Sequence, residues 1–254
     1  MSQVLHATDC LEGMKTLQAK SVKVIVTSPP YNIGANYGEY TDSRADYLTW
    51  LLSIFTEAHR VLQDDGHFFL QLGGTNLKPM IPFEVMAEAQ KIFKLQNLIT
   101  WVKSVTVDGK SSGHFKPINS KRFINPTNEF IFHLTKTGDV PIDRLAIGVP
   151  YEDTSNVARW SSKNNLRCQG NSWFIPYKTI QSRSKERGSH PATFPLELPR
   201  RCIKLSGATG EDVVLDPFAG IGTTLLAAKE LGLNAIGYEI DTNYTRTFEE
   251  LLNG

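Results

Sequence analysis

The sequence predicts an α/β fold, a sheet flanked by crossover helices. Two observations carry this. Short apolar or β-branched runs alternate with amphipathic stretches along the chain, and a late apolar run leads through a Gly-rich turn into a helix. At 254 residues, with 41% hydrophobic and 21% charged content, the chain can bury one substantial core.

Taken in order, Gln3–His6 reads as a strand and Leu11–Ala19 as the first helix. Val22–Val26 is a second strand, ended by Pro29-Pro30. A helix over Ala45–Leu62 follows, because Leu48, Leu51, Leu52, Phe55, Ala58 and Leu62 recur at helical spacing. Asp64-Asp65-Gly66 reads as the turn that ends it. The alternation continues with strand His67–Leu72, helix Pro82–Phe93, and strands Leu98–Val102 and Asn128–Leu134. After a long irregular segment come helix Leu196–Leu205, strand Asp212–Leu215, helix Thr223–Leu231, strand Ala235–Tyr238 and helix Asn243–Leu252. His59, His67 and His133 stand in apolar surroundings and read as core residues without partners.

No apolar run approaches the length of a membrane span, and the first twenty residues lack the pattern of a signal peptide. Cys10, Cys168 and Cys202 are far apart and none has a partner at metal-ligand spacing, so no metal site is expected. Reduced thiols and a cytoplasmic location are the simplest expectation.

A net charge of +1 says little, but its distribution says more. Between Asn156 and His190 stand seven basic residues, Arg159, Lys163, Arg167, Lys178, Arg183, Lys185 and Arg187, against one acid, Glu186. Trp160, Trp173, Phe174 and Tyr177 are interleaved with them. Cations for phosphates and rings for stacking suit a nucleic-acid surface; a solvated loop with anchoring aromatics is the plainer alternative. A second irregular segment, Ser104–Asn125, offers Lys110, Lys116, Lys121 and Arg122 for the same purpose.

The stretch "EDVVLDPFAGIGTTLLAAKELGLNAIGYEID" reads strand, Gly-rich turn, helix, strand, acid. Gly220 and Gly222 admit a ligand close to backbone at a helix start. No Gly-Lys-Ser/Thr follows, and Leu225 stands where a dinucleotide fingerprint would place a third glycine. Glu239 ends the next strand, where an acid accepts from ribose hydroxyls. Asp216 before the turn would repel phosphate and suit a cationic or amino group. The expectation is a nucleoside pocket, and a dehydrogenase is disfavoured.

"DPFAGIGTT" is similar to the S-adenosyl-L-methionine loop of DNA amino-methyltransferases, and "TSPPYN" to their catalytic motif. The order here, catalytic motif first, basic insert, cofactor loop last, resembles the β group of that family. The resemblance implies a circularly permuted Rossmann-like methyltransferase sheet with a basic target-recognition insert. It divides the chain into a catalytic part (1–138), the insert (139–189) and a cofactor-binding part (190–254). "HATDCLEGMKTL" resembles the family's opening, which implies Asp9 and Cys10 near the cofactor adenine; Thr8 stands where glycine is common. "HPATFPLELPRR" resembles the segment that closes over the methionine end, implying roles for His190, Pro191, Ala192 and Phe194. The cofactor loop adds Asp216, Phe218, Ala219, Gly220, Gly222, Thr223 and Thr224, with Glu239 beyond it.

The catalytic expectation centres on Ser28, Pro29, Pro30 and Tyr31. Two prolines end a strand sharply and leave extended backbone whose carbonyls can accept from an exocyclic amine. Tyr31 offers a flat face to a base swung out of the duplex. Ser28 and the Pro29 carbonyl would draw the amine toward a tetrahedral nitrogen that attacks the sulfonium methyl. None of the cysteines follows a proline, so attack by a thiolate is disfavoured. Family members with Ser before Pro-Pro-Tyr mostly methylate cytosine N4, and those with Asp mostly adenine N6, so the resemblance implies cytosine N4. Adenine N6 is the first alternative, and an inactive nucleic-acid-binding module of the same fold the second. DNA is the expected partner, and the resemblance is compatible with a companion restriction endonuclease and with a homodimer.

Overall fold

An eight-stranded sheet forms the centre of the structure, a computed structural model that describes residues 1–34, 36–37, 40–113, 115, 118–153, 165–176 and 193–253. In chain order the elements are β1 (Gln3–Ala7), α1 (Cys10–Lys15), β2 (Val22–Thr27), the hairpin β3 (Asn36–Tyr37) and β4 (Tyr40–Thr41), α2 (Tyr47–Val61), β5 (Leu62–Leu72), α3 (Ile81–Ala89) and β6 (Lys94–Val102). The hairpin β7 (Ser104–Val107) and β8 (Lys110–Gly113) follows, then β9 (Asn128–Thr135), the small pair β10 (Val149–Pro150) and β11 (Leu166–Arg167), and β12 (Ser172–Phe174). The chain ends through α4 (Glu197–Leu205), β13 (Val213–Asp216), α5 (Thr223–Glu230), β14 (Asn234–Glu239) and α6 (Thr242–Asn253).

The sheet order is β1-β14-β13-β2-β5-β9-β6-β12, with β9 antiparallel to both its neighbours and the other pairings parallel. Strands alternate their side chains between two faces, so each face has its own core. Val22, Ile25, Phe68, Leu70 and Leu215 pack with α1, α2 and α3. Val24, Val26, Phe69 and Val214 pack on the other face with α4, α5 and α6. From β13 the chain crosses through α5 to β14; from β2 it crosses through α2 to β5, on the opposite side. Crossovers that diverge in this way leave a crevice at the carboxyl ends of β13 and β2. The strand before the Gly-rich turn therefore lies beside the strand before Pro29-Pro30, although about 190 residues separate them, as in the register pair Leu215↔Ile25. This is the Rossmann-like α/β sheet in permuted order.

All seven strands and six helices read from the sequence are present, with ends moved by a few residues. Four readings change. Asp64-Asp65-Gly66 is a bulge inside β5, where pairing jumps from Val22↔Leu62 to Val24↔His67, and not a free turn. Lys20 and Lys23 hold its carboxylates at 2.6 and 2.7 Å. Trp173, read as a ring for nucleic acid, is 1% exposed in β12, and its indole N–H donates to Gly170 O at 3.0 Å. The edge strand that carries it lies within the range read as the insert, while Trp160 and Tyr177 lie outside the described residues. His67 and His133 are not lone: His67 Nδ1 meets His133 Nε2 at 3.0 Å, and burial holds both well below the usual histidine range, near 4 and 3. No helix among the described residues is long and apolar enough to cross a membrane.

Gly222 shows how tightly the turn is built. Its φ is 79°, and a Cβ there would stand 2.1 Å from the buried Phe248 ring. Gly222→Ala is expected to lower stability by about 1–2 kcal/mol from the left-handed backbone alone, with more from the overlap. Thermal denaturation measures this; an unchanged melting temperature would show that the turn relaxes freely.

Candidate active site

A cavity of about 990 Å³ opens in the crevice. Ser28, Pro29, Pro30 and Tyr31 line it, as do Thr8, Asp9, Cys10, Phe194, Phe218, Ala219, Gly220, Thr223 and Glu239. Two segments distant in sequence thus line one cavity with the start of the chain. Asp9 also caps α1, accepting from Leu11 N at 2.9 Å and Glu12 N at 3.2 Å.

Asp216 does not line the cavity; it lies behind it, 1% exposed. Its Oδ1 accepts from Thr27 Oγ1 at 2.6 Å and from Phe218 N at 3.1 Å, and its Oδ2 accepts from Thr224 Oγ1 at 2.6 Å. The carboxyl reads as a buried knot between the end of β2, the Gly-rich turn and α5, in place of the direct ligand contact read from sequence. Burial pushes it up to about 6 against the pull of its three donors. Thr224 and Gly222 stand off the cavity too, the one in this knot and the other against Phe248.

Glu239 faces the cavity and is raised by burial. It accepts from Gly220 N and from Asp241 N, each at 2.9 Å. A carboxylate offers about four lone-pair directions, so acceptor capacity remains for a ligand's hydroxyl.

The proline turn is braced from outside. Tyr47 Oη donates to Pro30 O at 2.6 Å, so one of the two carbonyls expected to await an amine is already engaged. Asn32 adopts φ 56° and clamps Arg44, accepting from Arg44 N at 2.7 Å and donating to Arg44 O at 3.1 Å. Arg44 lies 4.8 Å from the Trp50 ring, which meets Phe218 edge-on at 5.6 Å. Trp50, Arg44, Gln71, Lys103 and Glu129 all line the cavity and were missed in sequence. Trp50 packs at the edge of the buried face of α2 and also lines the cavity. Cys10 lines the cavity without following a proline, but it is 4% exposed and burial pushes its thiol far up, so it is no thiolate nucleophile.

Of the residues read as DNA-contacting, Lys110, Lys121, Arg122 and Arg167 are exposed, and Arg122 lies 4.8 Å from the Phe123 ring. Lys116, Arg159, Lys163, Arg183, Lys185 and Arg187 lie outside the described residues, as do His190, Pro191 and Ala192.

A permuted α/β sheet with a Gly-rich turn and a Ser-Pro-Pro-Tyr turn in one crevice defines the class of β-group DNA amino-methyltransferases. The family model described as DNA methylase (N6_N4_Mtase) matches residues 22–250, and the chain belongs to that family. It is 29% identical over 254 residues to the type II methyltransferase M.ScaI of Streptomyces caespitosus, covering 95% of this chain and 78% of that one. It is also 29% identical over 253 residues to the DNA adenine methyltransferase YhdJ of Escherichia coli, covering 96% and 80%. In fold it is similar to the PvuII DNA methyltransferase (cytosine-N4-specific), with a TM-score of 0.72, 20% identity, and coverage of 100% of this chain and 94% of that one. The M1.HpyAVI–SAM complex matches with a TM-score of 0.62 and 20% identity over 98% and 100% of the two chains. Enzymes of this class take the methyl group from S-adenosylmethionine.

The Asp216 knot has a pH signature. Its folded-state pKa of about 6 lies above the ordinary 3.8, so the native state holds the proton longer than the unfolded chain. Its contribution to stability is therefore greatest below about pH 4, falls as pH rises toward 6, and stays low above that. In Asp216→Asn this fall disappears, so stability relative to wild type rises between pH 4 and 6.5, by up to roughly 3 kcal/mol. Denaturant titrations across that range measure it; a parallel offset at every pH would contradict the assignment.

Proposed function

We propose that this chain methylates the N4 amine of cytosine in DNA, using S-adenosyl-L-methionine and a base swung out of the duplex into the cavity. The observation that supports this most is the meeting of Ser28-Pro29-Pro30-Tyr31 with Phe218-Ala219-Gly220 and Glu239 in one cavity. The residues suit the cofactor. Glu239 has acceptor capacity for ribose hydroxyls, the backbone at Gly220 is open to close approach, and Trp50 and Phe218 bring apolar rings to the wall. Asp9, Cys10, Phe194, Ala219 and Thr223 complete the proposed cofactor side, and His190, Pro191 and Ala192 are carried from the resemblance alone.

When bound, S-adenosylmethionine supplies an electrophilic methyl group on a sulfonium. The chain's part begins with the base. Tyr31 gives its ring face, worth roughly 1–3 kcal/mol in stacking, against the few kcal/mol needed to unstack a base. Ser28 Oγ and the Pro29 carbonyl accept from the amine. These acceptors favour a tetrahedral nitrogen and the positive charge that grows on it. The amine nitrogen would gain the methyl carbon as the methyl–sulfur bond broke, its electron pair staying on sulfur as a neutral thioether, and would shed one proton to water. Holding nitrogen and methyl in line supplies the proximity contribution.

Ser28 before Pro29-Pro30-Tyr31 supports cytosine over adenine through the family resemblance, while a relative named an adenine methyltransferase keeps adenine N6 as the second reading. We further propose that Lys110, Lys121, Arg122 and Arg167, with the basic residues of 154–192, meet DNA phosphates, and that 139–189 is largely the target-recognition segment. The relatives named type II methyltransferases support a companion endonuclease.

Nucleoside mass spectrometry of unmethylated bacteriophage DNA incubated with the protein and S-adenosylmethionine is expected to show N4-methylcytosine. N6-methyladenine would overturn the base, and no methylated nucleoside would overturn the activity. Ser28→Ala should lower the single-turnover rate by roughly 10²-fold with little change in cofactor affinity. Tyr31→Ala should lower it by about 5- to 150-fold. Full rates in both variants would reduce this motif to a strand end. Glu239→Ala should weaken cofactor binding in calorimetry by about 1.5–3 kcal/mol; unchanged affinity would move the pocket.

A further inference from the structure

From Ser28 and Tyr31 a chain of polar side chains runs along the cavity lining through Gln71 and Glu129 to Lys103. Lys103 Nζ lies 2.6 Å from Glu129 Oε1, an ion pair whose two side chains are 21% and 18% exposed. Glu129 Oε2 accepts from Gln71 Nε2. Gln71, itself 2% exposed, accepts through Oε1 from Tyr31 Oη at 2.9 Å. Tyr31 Oη lies 3.1 Å from Ser28 Oγ. The chain is tightly seated: a Cβ on Gly73, the second residue after Gln71, would stand 2.7 Å from Glu129 Cδ.

Each link fixes the direction of the next. A carboxylate paired with an ammonium only accepts, so it demands the amide N–H₂ of Gln71. That turns the Gln71 carbonyl toward Tyr31. The phenol has one proton and spends it on that carbonyl. In the contact between Ser28 and Tyr31, the proton is then the serine's. A serine hydroxyl with its proton turned away presents lone pairs to the cavity. We propose that Lys103, Glu129 and Gln71 are positioning residues that set the polarity of Ser28, holding it as an acceptor for the target amine and not as a donor to the base's ring nitrogen. This rests on Ser28 meeting the amine, as read above, and deepens that reading by naming the residues that orient it.

The polarity can be inverted without changing shape. In Glu129→Gln the new amide keeps its oxygen on Lys103 and turns its N–H₂ to residue 71. Gln71 must then reverse, donate to Tyr31, and make Tyr31 donate to Ser28, whose own proton is left pointing into the cavity. Adding Gln71→Glu restores the original direction: the carboxylate at 71 accepts both from the amide introduced at 129 and from Tyr31, and the number of charges in the chain is that of the wild type.

The test measures single-turnover methylation with enzyme in excess, labelled S-adenosylmethionine and unmethylated bacteriophage DNA, beside equilibrium affinities for both. Glu129→Gln should slow methyl transfer by about 10-fold or more while both affinities stay within about 2-fold, and Gln71→Glu/Glu129→Gln should recover most of the rate. A merely structural role predicts no recovery, because the double variant perturbs the site more. Should the swap fail to fold, Tyr31→Phe supplies the second measurement. It cuts the chain before Ser28, so Glu129→Gln should have no further effect on that background. A wild-type rate in Glu129→Gln, no recovery in a folded swap, or additive losses with Tyr31→Phe would overturn the proposal. A full rate in Ser28→Ala would instead overturn the reading of Ser28 on which it rests.

Discussion

The arrangement depends on one buried carboxyl. Asp216 ties Thr27, the last residue of β2, to Thr224 in the first turn of α5 and to the backbone at Phe218. A parallel sheet aligns its strands but does not fix where the turns beyond their ends travel. The knot does so for two turns at once, because Thr27 directly precedes Ser28 and Phe218 directly precedes Ala219-Gly220. A charged group in that position costs stability, which is why its proton is held to about pH 6. A carboxylate with three donors at this place registers the end of β2 against the Gly-rich turn and α5.

A second set of contacts shapes the Ser28–Tyr31 turn from its far side. Tyr47 holds the Pro30 carbonyl, Asn32 holds Arg44, and Gln71 holds Tyr31. The turn is therefore clamped by α2, by the loop before it and by the end of β5, none of which is its sequence neighbour. Under the proposed function, preorganisation of this kind would serve methyl transfer through alignment and electrostatics.

Much of this was legible in the chain. The seven strands and six helices show because buried parallel strands and amphipathic helices write distinct periods, and the two Gly- and Pro-marked turns show because backbone constraints are local. What was hidden depends on pairing across the sheet. Trp173 read as surface because its neighbours are basic, yet β6 draws Ser172–Phe174 into the sheet edge. His67 and His133 sit on different strands, and only the antiparallel β5–β9 pairing brings them together. Asp216 read as a ligand contact because it precedes the turn; its strand is buried on both faces, and its partners Thr27 and Thr224 come from β2 and α5. Gln71 and Glu129 carry no motif, and their partners lie 40 and 58 residues away.

The central claim is that the Gly-rich turn and Glu239 hold the cofactor while Asp216 holds the turn. A crystal structure of the protein with sinefungin, a stable analogue of S-adenosylmethionine, tests it most directly. The analogue's ribose is expected on Glu239 and its amino-acid end along Phe218–Thr223, with Asp216 still bound to Thr27 and Thr224 and out of contact with the ligand. An analogue bound elsewhere, or one that draws Asp216 from its threonines into direct contact, would contradict it.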